Sequence, residues 1–310
     1  VTKLFSLRDT AFDPKTVLTV GTFDGVHAGH RALLQRLVDQ AKTSACRSVV
    51  VTFDPHPREI LQPGDQGIRL LTTPQERAEL LSELGVDMMV VIPFNRDFSL
   101  KNSDEFIEDV IVRHIGLQTF VIGYDHHFGH NRRGDSSTLK ALGEVLGFDV
   151  IVVEAREVND HIVSSTSVRK SLSERGDTDL VIQLLGRPYQ ITGMVEHGDA
   201  RGRTFGFPTA NIKPSDKRKV IPKSGVYAVQ VDTPYGRFKG VMNIGTRPTF
   251  TKDAEIRLEV HLIDFDQLLY SKTITVHFDS RIRDEVKFEH VEALRTQLER
   301  DRQIAIQRLK

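Results

Sequence analysis

Two histidines three residues apart, His27 and His30, stand in the decapeptide GTFDGVHAGH (residues 21–30), directly after the apolar run VLTV. A strand that ends in glycine lets the backbone approach a ligand closely. The helix that follows offers free N–H groups at the positive end of its dipole. Imidazoles placed there donate hydrogen bonds to phosphate oxygens and stabilise charge in an in-line displacement at phosphorus. Gly21, Phe23, Asp24 and Gly29 complete this candidate phosphate loop. Two other readings compete with it. Zinc needs three or four ligands, and HxxH offers two. Histidines that only satisfy local hydrogen bonds at a helix start are the plainer alternative.

Two further stretches carry chemistry. In VSSTSVRK (163–170), hydroxyls precede Arg169. Ser165 or Thr166 is expected to cap a helix, and a guanidinium can grip a polyphosphate through two hydrogen bonds. GMVEHGDARGRTFGFPTANI (193–212) holds Gly193, Gly198, Gly202 and Gly206, with Arg203 among them. Such a loop can fold over a nucleotide. Thr209 and Asn211 alternate, so in an extended segment they point the same way. Their neutral oxygens suit a magnesium ion bridged to phosphates. A glycine-rich hairpin with a buried threonine–asparagine pair is the structural alternative.

The elements that must position these residues follow from periodicity. VLTV, SVVVTF, DMMVVIPF, TFVIGY and DVIVVE are short, β-branched runs, expected as strands buried on both faces. Between them lie amphipathic stretches: HRALLQRLVDQAK with Leu33, Leu34, Leu37 and Val38 on one stripe, PQERAELLSELG, SDEFIEDVIVRHIG with Ser103 as the expected N-cap, and STLKALGEVLG. Strand and helix in alternation imply a parallel sheet covered by helices, with ligands beyond the carboxyl ends of its strands. After about residue 185 the runs alternate apolar and polar residues, with a hairpin turn expected at TPYG. That pattern reads as a small antiparallel barrel closed by a C-terminal helix. Its helical stripe holds Val291, Leu294, Leu298, Ala305 and Leu309. The expected fold is therefore α/β plus β: a Rossmann-like parallel-sheet domain over residues 1–183 and a barrel domain over 184–310, the boundary lying between Asp177 and Arg187.

Of the 310 residues, 42 are Lys or Arg and 42 are Asp or Glu, a balance that gives no electrostatic reason to bind nucleic acid or a membrane. Cys46 is the only cysteine, so no intrachain disulfide forms. No apolar stretch reaches membrane-spanning length, and the start of the chain lacks a signal-peptide core. A cytoplasmic protein is expected.

GTFDGVHAGH resembles the HxGH motif of the nucleotidylyltransferase superfamily, and VSSTSVR resembles its partner motif. With FDPHP (53–57), GYDHHFGHNRRGD (123–135) and GRTFGFPTANI, the chain resembles the bacterial bifunctional riboflavin kinase/FAD synthetases along nearly its whole length. The resemblance implies that the first domain transfers AMP from ATP to FMN and releases pyrophosphate, with His27 and His30 on the ATP phosphates and Ser165, Thr166 and Arg169 closing on them. It implies nucleotide or flavin contacts at Asp125 and Asn131, and flat surfaces for the isoalloxazine ring at Phe53 and Phe128. It further implies that the second domain phosphorylates riboflavin. There, magnesium and ATP phosphates sit at Thr209 and Asn211, and Glu259 in RLEVHLIDF is the catalytic base. NIGTRPTF (243–250) resembles a neighbouring loop, and Arg283 and Glu289 belong to a flavin-side flap. The partners implied are riboflavin, FMN, FAD and ATP, and weak self-association is known in such enzymes. HAGH replaces the frequent HRGH, His126 replaces an aromatic residue, and LYS (269–271) replaces LYG. A nucleotidylyltransferase with another acceptor, such as a pantetheine phosphate or nicotinate mononucleotide, and a non-catalytic flavin or nucleotide sensor are the competing readings.

Overall fold

A computed structural model describes the chain except residues 1, 62–66, 125–128, 130–133, 155–156, 159–160, 198–205, 248–254 and 310. Its contacts divide it into two compact units, Val1–Ser165 and Thr166–Lys310.

The first unit is built on strands β1 (Lys3–Ser6), β2 (Thr16–Val20), β3 (Arg47–Asp54), β4 (Met88–Pro93), β5 (Thr119–Gly123) and β6 (Asp149–Val153). They form one sheet in the order β1-β4-β3-β2-β5-β6, parallel throughout. A short hairpin, β7 (Glu157–Val158) and β8 (His161–Ile162), follows. Helices α1 (Ala28–Thr43), α2 (Pro57–Leu61), α3 (Pro74–Glu83), α4 (Arg96–Ser99), α5 (Ser103–Glu105) and α6 (Ser136–Leu146) lie between strands, and α5 runs on as a π-helical stretch, Phe106–Ile115. Alternate strand residues feed opposite cores, as side-chain alternation requires. Val17, Val50, Met89 and Val121 pack with Leu34, Leu37 and Val38 of α1 and Leu81 of α3. Leu18, Val49, Val90 and Phe120 pack with Ile107 and Ile111 of the π-helical stretch and Leu139 of α6.

The five expected strands and their helices are all present. The sheet's sixth strand, β1, is short and mostly exposed, so it lacks the apolar run that reveals the others. Asn102, not Ser103, caps α5, its side chain accepting from Glu105 N–H at 2.8 Å. The asparagine wins because the third residue on, Glu105, supplies the N–H that a cap requires.

Helix α7 (Ser165–Lys170) starts at the last residue of the first unit, and a π-helical turn (Ser171–Arg175) and α8 (Thr178–Leu185) follow in the second. Strands β9 (Tyr189–Glu196), β10 (Ala210–Pro214), β11 (Gly225–Thr233), β12 (Gly236–Arg247), β13 (Glu255–Leu262) and β14 (Thr273–Arg283) close into a barrel in the order β10-β13-β12-β11-β14-β9. Every pairing is antiparallel. TPYG makes the tight turn from β11 to β12 as expected. Leu258, Val260 and Leu262 of β13 are buried with Tyr227, Met242 and Phe278, which leaves Glu259 and His261 on the other face of the strand.

The terminal helix α9 (Val291–Arg308) departs from its predicted stripe. Ala305 and Leu309 are buried with Val226, Ala228 and Val241, but Val291 is exposed. Asp301 is buried instead. Its carboxylate accepts from Arg283 Nε at 3.0 Å and Nη2 at 2.7 Å, and from Gln297 Nε2 at 2.9 Å. An acidic residue is invisible to a search for apolar periodicity, yet a doubly hydrogen-bonded partner makes its burial tolerable.

Candidate functional sites

The histidine loop follows β2 at the place where the sheet order reverses. From β2 the chain proceeds to β3 and β4 on one side, and β5 and β6 lie on the other. Such a switch point leaves a crevice beyond the strand ends. The loop turns sharply: Phe23, Gly25 and Val26 have φ of 45°, 86° and 43°. A β-branched valine there is costly and persists only where its surroundings hold it.

The hold comes from Asp24. Its side chain is fully buried and accepts from the N–H groups of Leu71 at 3.0 Å and Thr72 at 2.8 Å, and from the Thr72 hydroxyl at 3.1 Å. Arg77 Nη2 stands 3.8 Å away and its Nη1 donates to Thr52 Oγ1 at 3.0 Å. The Thr72 hydroxyl also receives Gly25 N–H at 3.0 Å. Asp24 therefore anchors the loop and does not face a ligand. Phe23 is likewise corrected: it is buried, and its ring meets the edge of His30 at 5.1 Å. Gly21 is needed because a Cβ there would lie 2.9 Å from the Phe23 ring.

His27 and His30 do not both belong to the helix. His27 precedes α1 as its N-cap, and its Nδ1 accepts from His30 N–H at 3.3 Å. An accepting Nδ1 is unprotonated, so a neutral His27 carries its proton on Nε2. The two rings stack at 3.6 Å between centroids. A Cβ on Gly29 would lie 3.4 Å from the His27 ring, in ordinary contact with the stack.

Helix α7 begins at Ser165, so its capping position falls at Ser164 and neither Ser165 nor Thr166 is the cap. Ser165 instead donates its hydroxyl to the carbonyl of Asp24 at 2.8 Å. The residue that anchors the histidine loop thus also receives the SST segment. Thr166 is exposed and Arg169 half-buried. Phe53 is half-buried in an aromatic group with Phe94 at 5.5 Å and Phe98 at 5.8 Å. Asp125, His126, Phe128 and Asn131 lie outside the described residues.

On the barrel, strand register does the work. Asn211 of β10 is directly opposite Glu259 of β13, and Glu259 is directly opposite Asn243 of β12. Glu196 of β9 continues the row beyond Asn211. Directly paired residues share a face, with Cβ atoms about 5 Å apart. Glu196, Asn211, Glu259 and Asn243 therefore form one polar rung. Arg257 Nη1 lies 3.8 Å from the Glu259 carboxylate, both side chains being partly exposed. Thr209 is half-buried just before β10. Among the described residues no cluster of three His, Cys, Asp or Glu side chains forms a metal cage. The set Thr209, Asn211 and Glu259 has the hard-oxygen chemistry of a magnesium ion shared with substrate phosphates.

The remaining expectations divide. Gly193 is not in a loop: it belongs to β9, and a Cβ there would lie 2.6 Å from the Ile212 side chain and run into the Lys213 carbonyl. Gly206 has φ 80° with open space around it, while Gly198, Gly202 and Arg203 fall outside the described residues. NIGTR is the end of strand β12 rather than loop. Arg283 is committed to Asp301 and, through Nη1, to the Asp284 carbonyl at 2.9 Å. It clamps α9 to the barrel. Glu289 is exposed. Local spacing does not reveal Asn243, Glu196 or the anchors Thr72 and Arg77, because register and long-range bonds leave no mark on it.

A parallel sheet with a histidine loop at its switch point, joined in one chain to a barrel with a carboxylate–amide rung, belongs among the phosphate-handling transferases. The comparisons sharpen this. The family model for FAD synthetase matches residues 9–167 and that for riboflavin kinase matches residues 185–309. The bifunctional riboflavin kinase/FMN adenylyltransferase of Pseudomonas fluorescens is 41% identical over 285 residues, covering 92% of this chain and 90% of that one. The protein of the same name from Escherichia coli K12 is 39% identical over 289 residues, covering 92% and 90%. A crystal structure from Streptococcus pneumoniae, titled as a macrolide-efflux protein, superposes with a TM-score of 0.89 at 31% identity, covering 97% of this chain and 98% of that one. That title names another activity, but among the described residues no helix here is long and apolar enough to cross a membrane. The chain belongs to the bifunctional riboflavin kinase/FMN adenylyltransferase family.

Proposed function

We propose how the two activities of this family, phosphorylation of riboflavin to FMN and adenylylation of FMN to FAD, are carried by this chain's own residues. The observation that carries the barrel half is the register of Asn211, Glu259 and Asn243 in one rung. Thr209 and Asn211 would hold a magnesium ion with the ATP phosphates. Bound there, it supplies charge neutralisation at the phosphate oxygens. The Glu259 carboxylate accepts the proton of the ribityl 5′-hydroxyl as that oxygen bonds to the γ-phosphorus and ADP leaves. Glu289, and Gly198, Gly202 and Arg203 by motif, belong to the surrounding flavin and nucleotide contacts.

In the first unit, His27 through Nε2–H and His30 are read as donors to the ATP phosphates. The FMN phosphate oxygen attacks the α-phosphorus and pyrophosphate leaves, so no covalent enzyme intermediate is needed. The free N–H groups at the start of α1 add to the donor set, and Gly29 keeps the approach open. Ser165 supports the loop through Asp24, with Thr166 and Arg169 following as phosphate ligands. Phe53, with Phe128, offers ring surface to the isoalloxazine; Asp125 and Asn131 are read as its polar contacts. The working boundary is taken at residues 183/184.

The balanced charge of the chain supports small-molecule partners, riboflavin, FMN, FAD and ATP, without nucleic acid, and its single cysteine fits a cytoplasmic setting. Any self-association is read as weak. The test is one incubation of the full chain with riboflavin, ATP and magnesium, followed by chromatography. FMN that appears and then converts to FAD supports both halves. Pyrophosphate released from ATP without FMN would point to another acceptor.

A further inference from the structure

The segment that carries Thr209 enters the barrel with little backbone support. Gly206 has φ 80°, and Pro208 has no N–H to give. The register pairs that tie β10 to β13 are Ala210 with Val260 and Asn211 with Glu259. Continued by one rung, the same register sets Thr209 against His261. There a side chain takes over from the ladder: His261 Nδ1 lies 2.9 Å from the Pro208 carbonyl oxygen. A carbonyl only accepts, so Nδ1 carries a proton and the tautomer of a neutral His261 is fixed. The ring is also braced by Phe207, edge to face at 5.2 Å and 65°, and Phe207 itself is buried. His261, Phe207 and Pro208 line one side of a cleft of about 550 Å³, with Arg295 and Arg302 of α9 on another. His261 is two residues from Glu259 on the same strand face.

We propose that His261 is a positioning residue of the barrel site, holding the Pro208 carbonyl so that Thr209 and Asn211 present their oxygens at a fixed place beside Glu259. This rests on the reading of those three residues as the phosphate-holding and proton-accepting groups. His261 itself need touch neither substrate. It replaces the missing ladder bond at the point where the chain leaves the barrel to form the loop.

The test is steady-state riboflavin phosphorylation by the full chain, varying MgATP and riboflavin separately, for four variants beside the unaltered protein. His261→Phe keeps a ring against Phe207 and removes the donor; His261→Leu does the same without the ring. His261→Asn restores an amide N–H near the place of Nδ1. Glu259→Gln controls the underlying reading. The KM for MgATP is expected to rise about tenfold in both donor-less variants, the loss of one well-placed hydrogen bond. Their kcat should change less than about threefold, and the KM for riboflavin should not move. His261→Asn should return the KM for MgATP to within about threefold of the unaltered protein. FAD formation from supplied FMN is expected to be equal in all.

An unchanged KM in folded donor-less variants overturns the proposal, as does an asparagine variant as impaired as they are. Equal rises in both KM values alongside a fall in melting temperature would assign His261 a merely structural role and overturn it too. Retention of normal turnover by Glu259→Gln would overturn the assignment of the base instead.

Discussion

The histidine loop and the barrel rung, the two proposed phosphate sites, are held in place by opposite means. The loop bends through three consecutive-neighbourhood positions of positive φ, Phe23, Gly25 and Val26. It is held by buried bonds from residues some fifty positions away in the chain, Leu71, Thr72 and Arg77. The rung has ordinary extended backbone, and its members are placed by strand pairing. The difference teaches where each site is vulnerable. A loop under strain fails when a remote anchor is lost. A rung fails only when one of its own side chains, or the segment leading into it, is changed.

Glu259→Gln should give the largest effect and tests whether the rung is a separate site. Riboflavin phosphorylation should fall by about 10²- to 10⁴-fold, the usual range for a lost general base, while FAD formation from supplied FMN persists. Loss of both activities would break the comparison outright. His30→Ala is its mirror: adenylyl transfer should drop about 10²- to 10³-fold, as for other lost transition-state donors, with FMN formation intact.

Arg77→Met tests the remote anchor. It takes the guanidinium 3.8 Å away from the buried Asp24 carboxylate, which should destabilise the sheet unit by about 3 kcal/mol. Hydrogen exchange in β2 and β3 measures this, and the barrel strands should not respond. Ser165→Ala is gentler. It removes a single hydrogen bond to the Asp24 carbonyl, so adenylyl transfer should fall about fivefold, with partial recovery in Ser165→Thr. An unchanged rate would mean that the loop needs no support from that segment.

The smallest expected effect lies on the barrel surface away from the rung. Asp232 receives Arg237 in a short ion pair and His277 Nε2 at 2.7 Å. The Arg237 hydrogen bond first, and then that of His277, hold its carboxyl down from 3.8 to about 2. A depressed carboxyl stabilises the folded state above its unfolded value, and that contribution is lost as the pH falls. The barrel of the unaltered protein should therefore lose stability more steeply than Asp232→Asn between about pH 4 and pH 2. The carboxylate is partly exposed, so salt should shrink the difference.

Much of this organisation is legible in the sequence. Buried parallel strands announce themselves as β-branched runs, and β13 shows its two faces through the alternation of Leu258, Glu259, Val260 and His261. The glycine–histidine loop is recognisable from local spacing. What spacing cannot carry is the direction of a side chain in an irregular turn. Asp24 and Phe23 sit in the motif yet point into the protein. Nor does it carry bonds between distant segments: Arg283 looks like a free cation until Asp301 is found buried beside it. The rung was half visible, since Glu259 and Asn211 belong to recognisable motifs, but their pairing depends on how the barrel closes.

That pairing has a consequence for how the chain tolerates insertions and deletions. The rung's members come from strands β9, β10, β13 and β12, and outside the segment that carries Pro208 and Thr209 the connections between strands can lengthen or shorten without changing the register. One residue gained or lost inside β13 is another matter. It would turn Glu259 toward the packed interior and set Val260 or Leu258 against Asn211. The barrel site should thus be permissive to length variation in its turns and unforgiving within its staves, a pattern that scanning single-codon insertions through residues 255–275 would display directly.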